Sequence, residues 1–216
     1  HHLHPPVDGY AVQFSDTHAC STSYIVYQLL EAMAGTDAID QAMAESLYVG
    51  IMTDTGNFSF SSLTSDLFRA VAVLIDKGVN VPYVNSSVYN NFSEGRMRLL
   101  GYMLNDKMVT DYEFGVAYVS LTEEEMRRFD FIQGDSEGFV NYPLSIRGIR
   151  MSAMFIQTKH SIRVSLRSRG EVDVNVFARR YFDGGGHRNA AGGKSYVPMN
   201  ETLENFRKYL REYFGA

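Results

Sequence analysis

Residues 183–193 read DGGGHRNAAGG and hold five of the chain's 18 glycines. Consecutive glycines reach backbone conformations closed to other residues, so successive N–H groups can converge into an anion-binding nest. His187, Arg188 and Asn189 follow at once with side-chain donors. A tight loop that needs only positive φ would account for one or two glycines. Three glycines followed by His and Arg exceed that need, so Gly184, Gly185, Gly186, His187 and Asn189 are read as phosphate contacts.

The surroundings support an anionic ligand. The net charge is −5, yet between Pro143 and Ser195 ten Lys and Arg residues face three acids. A basic segment in an acidic protein suggests a negatively charged ligand bound at one place, although a solvated basic face would give the same count. Within it, SLRSRG (165–170) ends a strand, with Ser165 and Ser168 flanking Arg167. A guanidinium is a planar fork that can hold a phosphate bidentately. An isolated strand Arg is more often a surface residue, and Arg167 gains weight by sharing the segment with the glycine run.

Periodicity predicts an α/β chain. YAVQF (10–14) reads as a short buried strand. Tyr24 to Met33 reads as a helix stopped by Gly35, and Asp37 or Asp40 can cap the next helix, which carries Ala42, Leu47, Val49 and Ile51 toward the core. SDLFRAVAVLIDKG (65–78) is apolar nearly all round and is predicted as a buried helix; 81–90 and 93–106 add two more. KMVTDYEFGVAYVSL (107–121) predicts two antiparallel strands. TEEE (122–125) is a capping-box sequence. Two further strands lie in 148–157 and 161–168, a helix in 172–182, and a last helix begins near Asn200 with Leu203, Phe206, Leu210 and Tyr213 on one face. The boundaries expected are a first domain at 1–91, a helical connector at 92–107 and a second domain at 108–216.

Two further places can carry chemistry. Asp54 sits in GIMTDTGNF (50–58), after an apolar segment and before a Gly. Such a carboxylate suits Mg²⁺ or Mn²⁺, while a turn Asp bonding its own backbone is the competing account. The chain opens HHLHPP (1–6). Imidazoles can ligate Mn²⁺ or Zn²⁺, though terminal His runs are often purification residue.

Taken together, HHLHPP, STS before a helix, GIMTDTGNFSF, SLRS, DVN and GGGHRNAAGG follow one another in the order found in DHH phosphoesterases. The chain resembles that family over essentially its whole length, most of all its nano-RNase type, oligoribonucleases that also act as phosphatases on 3′-phosphoadenosine 5′-phosphate. The resemblance implies the C-terminal part of a parallel-sheet DHH domain, joined by the helical connector to a smaller α/β DHH-associated, substrate-binding domain. It implies that HH is the end of the Asp-His-His motif and that carboxylate motifs stand upstream in a longer protein. By it, His1 is a metal ligand, His2 contacts the scissile phosphate and Asp54 ligates a second metal. Arg167, Ser165, the glycine run, His187 and Asn189 would hold substrate. Two Mn²⁺ ions are the implied cofactors, with Mg²⁺ as a substitute, and the 216 residues alone are expected to be inactive. The family has a fourth Gly where this chain has Asp183.

Other function classes are narrowed. No apolar run reaches the roughly 20 residues that span a bilayer. The single cysteine, Cys20, excludes an intramolecular disulfide and fits a reducing compartment, so the cytoplasm is expected. The implied partners are short RNA or a nucleotide, no membrane, and a homodimer as an open option. Cyclic dinucleotides, polyphosphate and non-catalytic nucleotide binding stand as alternatives.

Overall fold

The structure, a computed structural model, describes residues 1, 9–60 and 63–215. The chain divides into two compact units, His1–Asn91 and Phe92–Ala216. His2 and His4 lie outside the described residues.

Among its described residues the first unit is helical. α1 (Thr22–Ala34) starts at Ser21, whose side chain accepts from the Tyr24 amide, and stops at Gly35 in positive φ. Of the two candidate caps, Asp40 is the one used: it accepts from the Met43 amide and opens α2 (Gln41–Asp54). Ala44, Leu47, Tyr48, Ile51 and Met52 recur at helical spacing and are buried. α3 (Ser65–Asp76) buries Leu67, Ala70, Val71 and Leu74 but leaves Phe68 and Ile75 half exposed. It is therefore a one-faced helix, not the all-round buried one expected. α4 (Val81–Tyr89) completes the unit. Residues 10–14 form no strand and are exposed.

The second unit is a six-stranded mixed sheet with helices on both faces. α5 (Glu94–Tyr102) runs into a π-helical turn at Met103–Lys107. Leu99, Leu100 and Met103 pack into this unit's own core, so the helical segment belongs to it. β1 (Val109–Asp111) and β2 (Val116–Leu121) pair antiparallel. The capping box at Thr122 forms and opens α6 (Glu123–Arg127). Burial pushes the Glu125 carboxyl up, but bonds from Lys107, the Thr122 amide, Tyr102 and the Thr122 hydroxyl outweigh it and hold the pKa at about 2. That carboxylate thereby ties the end of the π-helical turn to the start of α6.

β3 (Met151–Gln157) pairs parallel with β2 and antiparallel with β4 (Ile162–Ser168). α7 (Val174–Tyr181) follows; then β5 (Gly185–His187), β6 (Ala190–Ser195) and α8 (Met199–Phe214). The strand order is β1-β2-β3-β4-β6-β5. Asn200 lies inside α8, which begins after Pro198 without a side-chain cap. Strand alternation sorts the core. Ile162, Val164 and Leu166 of β4 face α7 and α8, where Phe177, Phe206 and Leu210 are buried. Met154 and Ile156 of β3 face the other way, toward α5, α6 and Phe139. Arg163, Ser165 and Arg167 alternate with the buried residues of β4, so they project from this second face.

Candidate functional site

The first cluster lies at the end of α2. Asp54 is the last helical residue, and Thr55 closes the helix. The Thr55 hydroxyl, fully buried, donates to the Ile51 carbonyl at 2.7 Å and accepts from the Phe58 amide at 3.1 Å. Gly56 donates to Thr53 and Asn57 to Met52, the paired bonds of a Schellman closure, with Gly56 at φ 58°. Asn57 and Phe58 are also left-handed, at φ 55° and 58°. A left-handed non-glycine residue costs roughly 1–2 kcal/mol. The carboxylate itself sits at a helix C-terminus, the end where negative charge is unfavourable. Local physics thus opposes both the charge and the turn that follows it. Such a concentration of costs marks a residue kept for something other than stability.

Asp54 Oδ2 lies 3.4 Å from His1 Nε2; the side chains are 42% and 15% exposed. An imidazole nitrogen and a carboxylate oxygen at that separation are a donor set for a divalent cation, and they fit one as neighbouring ligands. Among the described residues no group of three or more His, Cys, Asp and Glu comes together. The pair is two donors, fewer than a complete metal centre needs. His2, expected at the scissile phosphate, falls outside the described residues.

The second cluster is on the sheet of the second unit. Arg163, Ser165 and Arg167 line a cavity of about 530 Å³, closed on its other side by Gln133, Gly134, Ser136, Glu137 and Gly138, with Val140 and Met154 at its floor. Arg163 Nη2 donates to Ser136 Oγ at 2.9 Å, which fixes that arginine to the loop. Arg167 differs. Its Nη1 donates to the neighbouring Leu166 carbonyl at 2.9 Å, and no carboxylate reaches it among the described residues. Burial lowers the Arg167 pKa while the nearby Glu137 raises it, and the group stays a cation. A partly desolvated guanidinium with donors left over faces a polar cavity.

Register extends this face. Ala190 pairs with Arg167 on one side and with His187 on the other, which places His187 two strands from Arg167 in the same row of the sheet. Lys194 pairs with Arg163 and adds its charge to the face. Ala190 and Gly192 of β6 share this face and are small, whereas a Cβ at Gly185 would meet Asn175 and Arg179 of α7. The basic segment is otherwise dispersed: Arg180 pairs with Glu212, Arg188 with Glu171, and Arg150 stacks on Phe214.

The glycine run takes a form the sequence did not announce. Its residues Gly185–His187 are strand β5 of a hairpin, with Gly186 at φ 151°. The Gly186 amide donates to Asn175 Oδ1 at 2.9 Å. Gly184 and Gly186 are needed because a Cβ would collide with the backbone of Gly192, Gly193, Ala190 and Ala191. The glycines thus bring β5 against β6. The Asn189 amide donates to Ser168 Oγ at 2.9 Å and, more weakly, to Gly170 and Val172 carbonyls, which ties down the β4–α7 loop.

Asp183 has φ 45°, a left-handed position that Gly accepts without cost and Asp accepts with a modest one. Asp183→Gly is expected to stabilise the protein by about 0.5–1 kcal/mol, partly offset by the freer unfolded chain. A thermal melt with unchanged or lower Tm would contradict this.

Residues 112–216 match the DHHA1 domain family. The chain is thus similar to DHHA1-containing proteins through its C-terminal part. Its similarity runs further: it is 31% identical over 198 residues to the bifunctional oligoribonuclease and PAP phosphatase NrnA of Bacillus subtilis, covering 89% of this chain and 61% of that protein. The crystal structure of an exopolyphosphatase-related protein from Bacteroides fragilis matches with a TM-score of 0.93 at 39% identity, over 99% of this chain and 62% of that one. The cyclic-di-AMP phosphodiesterase GdpP of B. subtilis is 28% identical over 93% of this chain and 30% of its own length. The chain thus spans less than two thirds of each of these relatives. No helix among the described residues is long and apolar enough to cross a membrane.

Proposed function

We propose that the protein carrying this chain is a cytoplasmic, metal-dependent phosphoesterase that hydrolyses short oligoribonucleotides to mononucleotides and 3′-phosphoadenosine 5′-phosphate to AMP. The observation that carries the reading is Arg167: a partly buried cation with uncommitted donors, facing a cavity of about 530 Å³. Its fork can take two oxygens of one phosphate, and the Ser165 hydroxyl beside it can donate to a third. His187, two strands away in the same row of the sheet, is assigned to a neighbouring group of the substrate. The likeness to NrnA supplies the reaction and the substrates.

His1 and Asp54 would hold Mn²⁺, or Mg²⁺ in its place, and a dinuclear centre would draw its remaining ligands from residues outside those described. When bound there, the metal supplies Lewis acidity and a water acidified toward neutral pH. His2 is assigned to the scissile phosphate as a hydrogen-bond donor. Because His1 and Asp54 are the two donors brought together among the described residues, the 216 residues by themselves are proposed not to turn over substrate.

The cavity favours short substrates. Its volume lies in the range of small-molecule sites, roughly 300–1,000 Å³. A long strand would instead need a basic track making many phosphate contacts, whereas the basic face here holds Arg163, Arg167 and Lys194. The second reading, a cyclic-dinucleotide phosphodiesterase or exopolyphosphatase, draws on the likenesses to GdpP and the Bacteroides fragilis protein. A Mn²⁺ assay of the full-length protein against a diribonucleotide, 3′-phosphoadenosine 5′-phosphate, a cyclic dinucleotide and polyphosphate separates them. The highest kcat/KM is expected on the diribonucleotide. A preference for either of the last two would transfer the assignment, and nucleotide binding without turnover would make the protein a binding module.

A further inference from the structure

The wall of the cavity opposite β4 is the segment Gln133–Gly138, which is irregular and would not hold one shape unaided. It contains two left-handed glycines, Gly134 at φ 106° and Gly138 at φ 79°. Short-range bonds shape it: the Ile132 amide donates to Asp135 Oδ2 at 2.9 Å, and the Glu137 amide to the Gly134 carbonyl at 2.9 Å. The carbonyls of Asp135 and Glu137, and that of Gly134 beside its bond from Glu137, each meet a further donor.

Arg96 of α5 collects all three. It is 8% exposed. Nη1 donates to the Asp135 carbonyl and, at 3.4 Å, to that of Gly134, while Nη2 donates to Glu137 at 2.8 Å. Its guanidinium lies 4.0 Å from the centroid of Phe92 and 4.8 Å from that of Phe139. The buried charge has no carboxylate partner among the described residues; carbonyl dipoles and ring faces take the place of water. The loop is thus held from behind by Arg96 and in front by the bond from Arg163 to Ser136.

We propose that Arg96 is a positioning residue for substrate: it fixes the wall that faces Arg167, and so sets how tightly a nucleotide is held without touching it. The inference rests on the reading of the cavity as the substrate site. Lysine cannot replace it, because one ammonium cannot reach three carbonyls on a planar fork while stacking between two rings.

The test uses the full-length protein with Mn²⁺ and a diribonucleotide, comparing wild type, Arg96→Lys and Phe206→Leu. The last variant perturbs the core on the opposite face of the sheet and controls for lost stability. Arg96→Lys is expected to raise KM roughly tenfold with kcat within about twofold, the behaviour of a binding group displaced from its place. Amide exchange at 133–138 should accelerate in that variant and stay unchanged in Phe206→Leu. A wild-type KM in Arg96→Lys, or an equal rise in Phe206→Leu, overturns the inference while leaving the phosphoesterase reading intact. A wild-type protein that neither binds nor cleaves the diribonucleotide overturns both.

Discussion

Asp54→Asn is expected to lower kcat for a short oligoribonucleotide by on the order of 10³-fold or more, the scale on which loss of charge-stabilising groups is felt in hydrolytic sites. The substitution keeps the size of the side chain and removes its charge. It should not unfold the protein. The carboxylate sits at the C-terminal end of α2, where the helix dipole disfavours it, so the neutral amide should leave Tm unchanged or raise it slightly. Lost activity with retained stability is the pattern of a ligand. A structural turn residue would behave in the opposite way, losing stability and keeping activity. Titration calorimetry with Mn²⁺ should show weakened binding in the variant. Full activity in Asp54→Asn would remove this residue from the site.

Arg167→Ala should weaken binding of AMP, and raise KM for a diribonucleotide, by roughly 10- to 100-fold, the range for losing charge-assisted hydrogen bonds. The effect belongs mainly in KM, because the arginine lies on the sheet of the second unit and is assigned to holding substrate. Arg167→Lys should recover part of the affinity, since it restores charge without the fork. The fold should survive, because Arg167 bonds only to the adjacent Leu166 carbonyl among the described residues. Unchanged affinity in Arg167→Ala would mean that the cavity is not where the phosphate binds.

The sequence was most legible where pattern is local. The stop at Gly35, the cap at Asp40, one of two candidates, the capping box at Thr122 and the alternation of Ile162, Val164 and Leu166 each depend on residues within a few positions of one another. Asp54 was legible for the same reason, as a carboxylate between two threonines before a glycine. The DGGGHRNAAGG stretch was read as chemistry but not as structure. Its strands contain no β-branched or aromatic residue to announce them; β6 pairs with β4, and β5 then comes close against β6 where Gly184 and Gly186 carry no Cβ. The YAVQF strand was misread because a buried-looking run does not pair by itself. Arg96 carried no signal, because its partners stand 38 to 41 residues away and are backbone carbonyls, which any residue could supply. The basic segment was legible as a count, but folding distributes most of its charges to local partners and leaves a few on the face with Arg167.

The central claim, a metal-dependent phosphoesterase of short RNA, is tested most directly by incubating the full-length protein with 5′-labelled RNAs of about two to five residues, with and without Mn²⁺. The account predicts release of mononucleotides that requires the metal, stops on chelation, returns when Mn²⁺ is restored, and declines as the RNA grows longer. No Mn²⁺-dependent release from any of these oligonucleotides would contradict it.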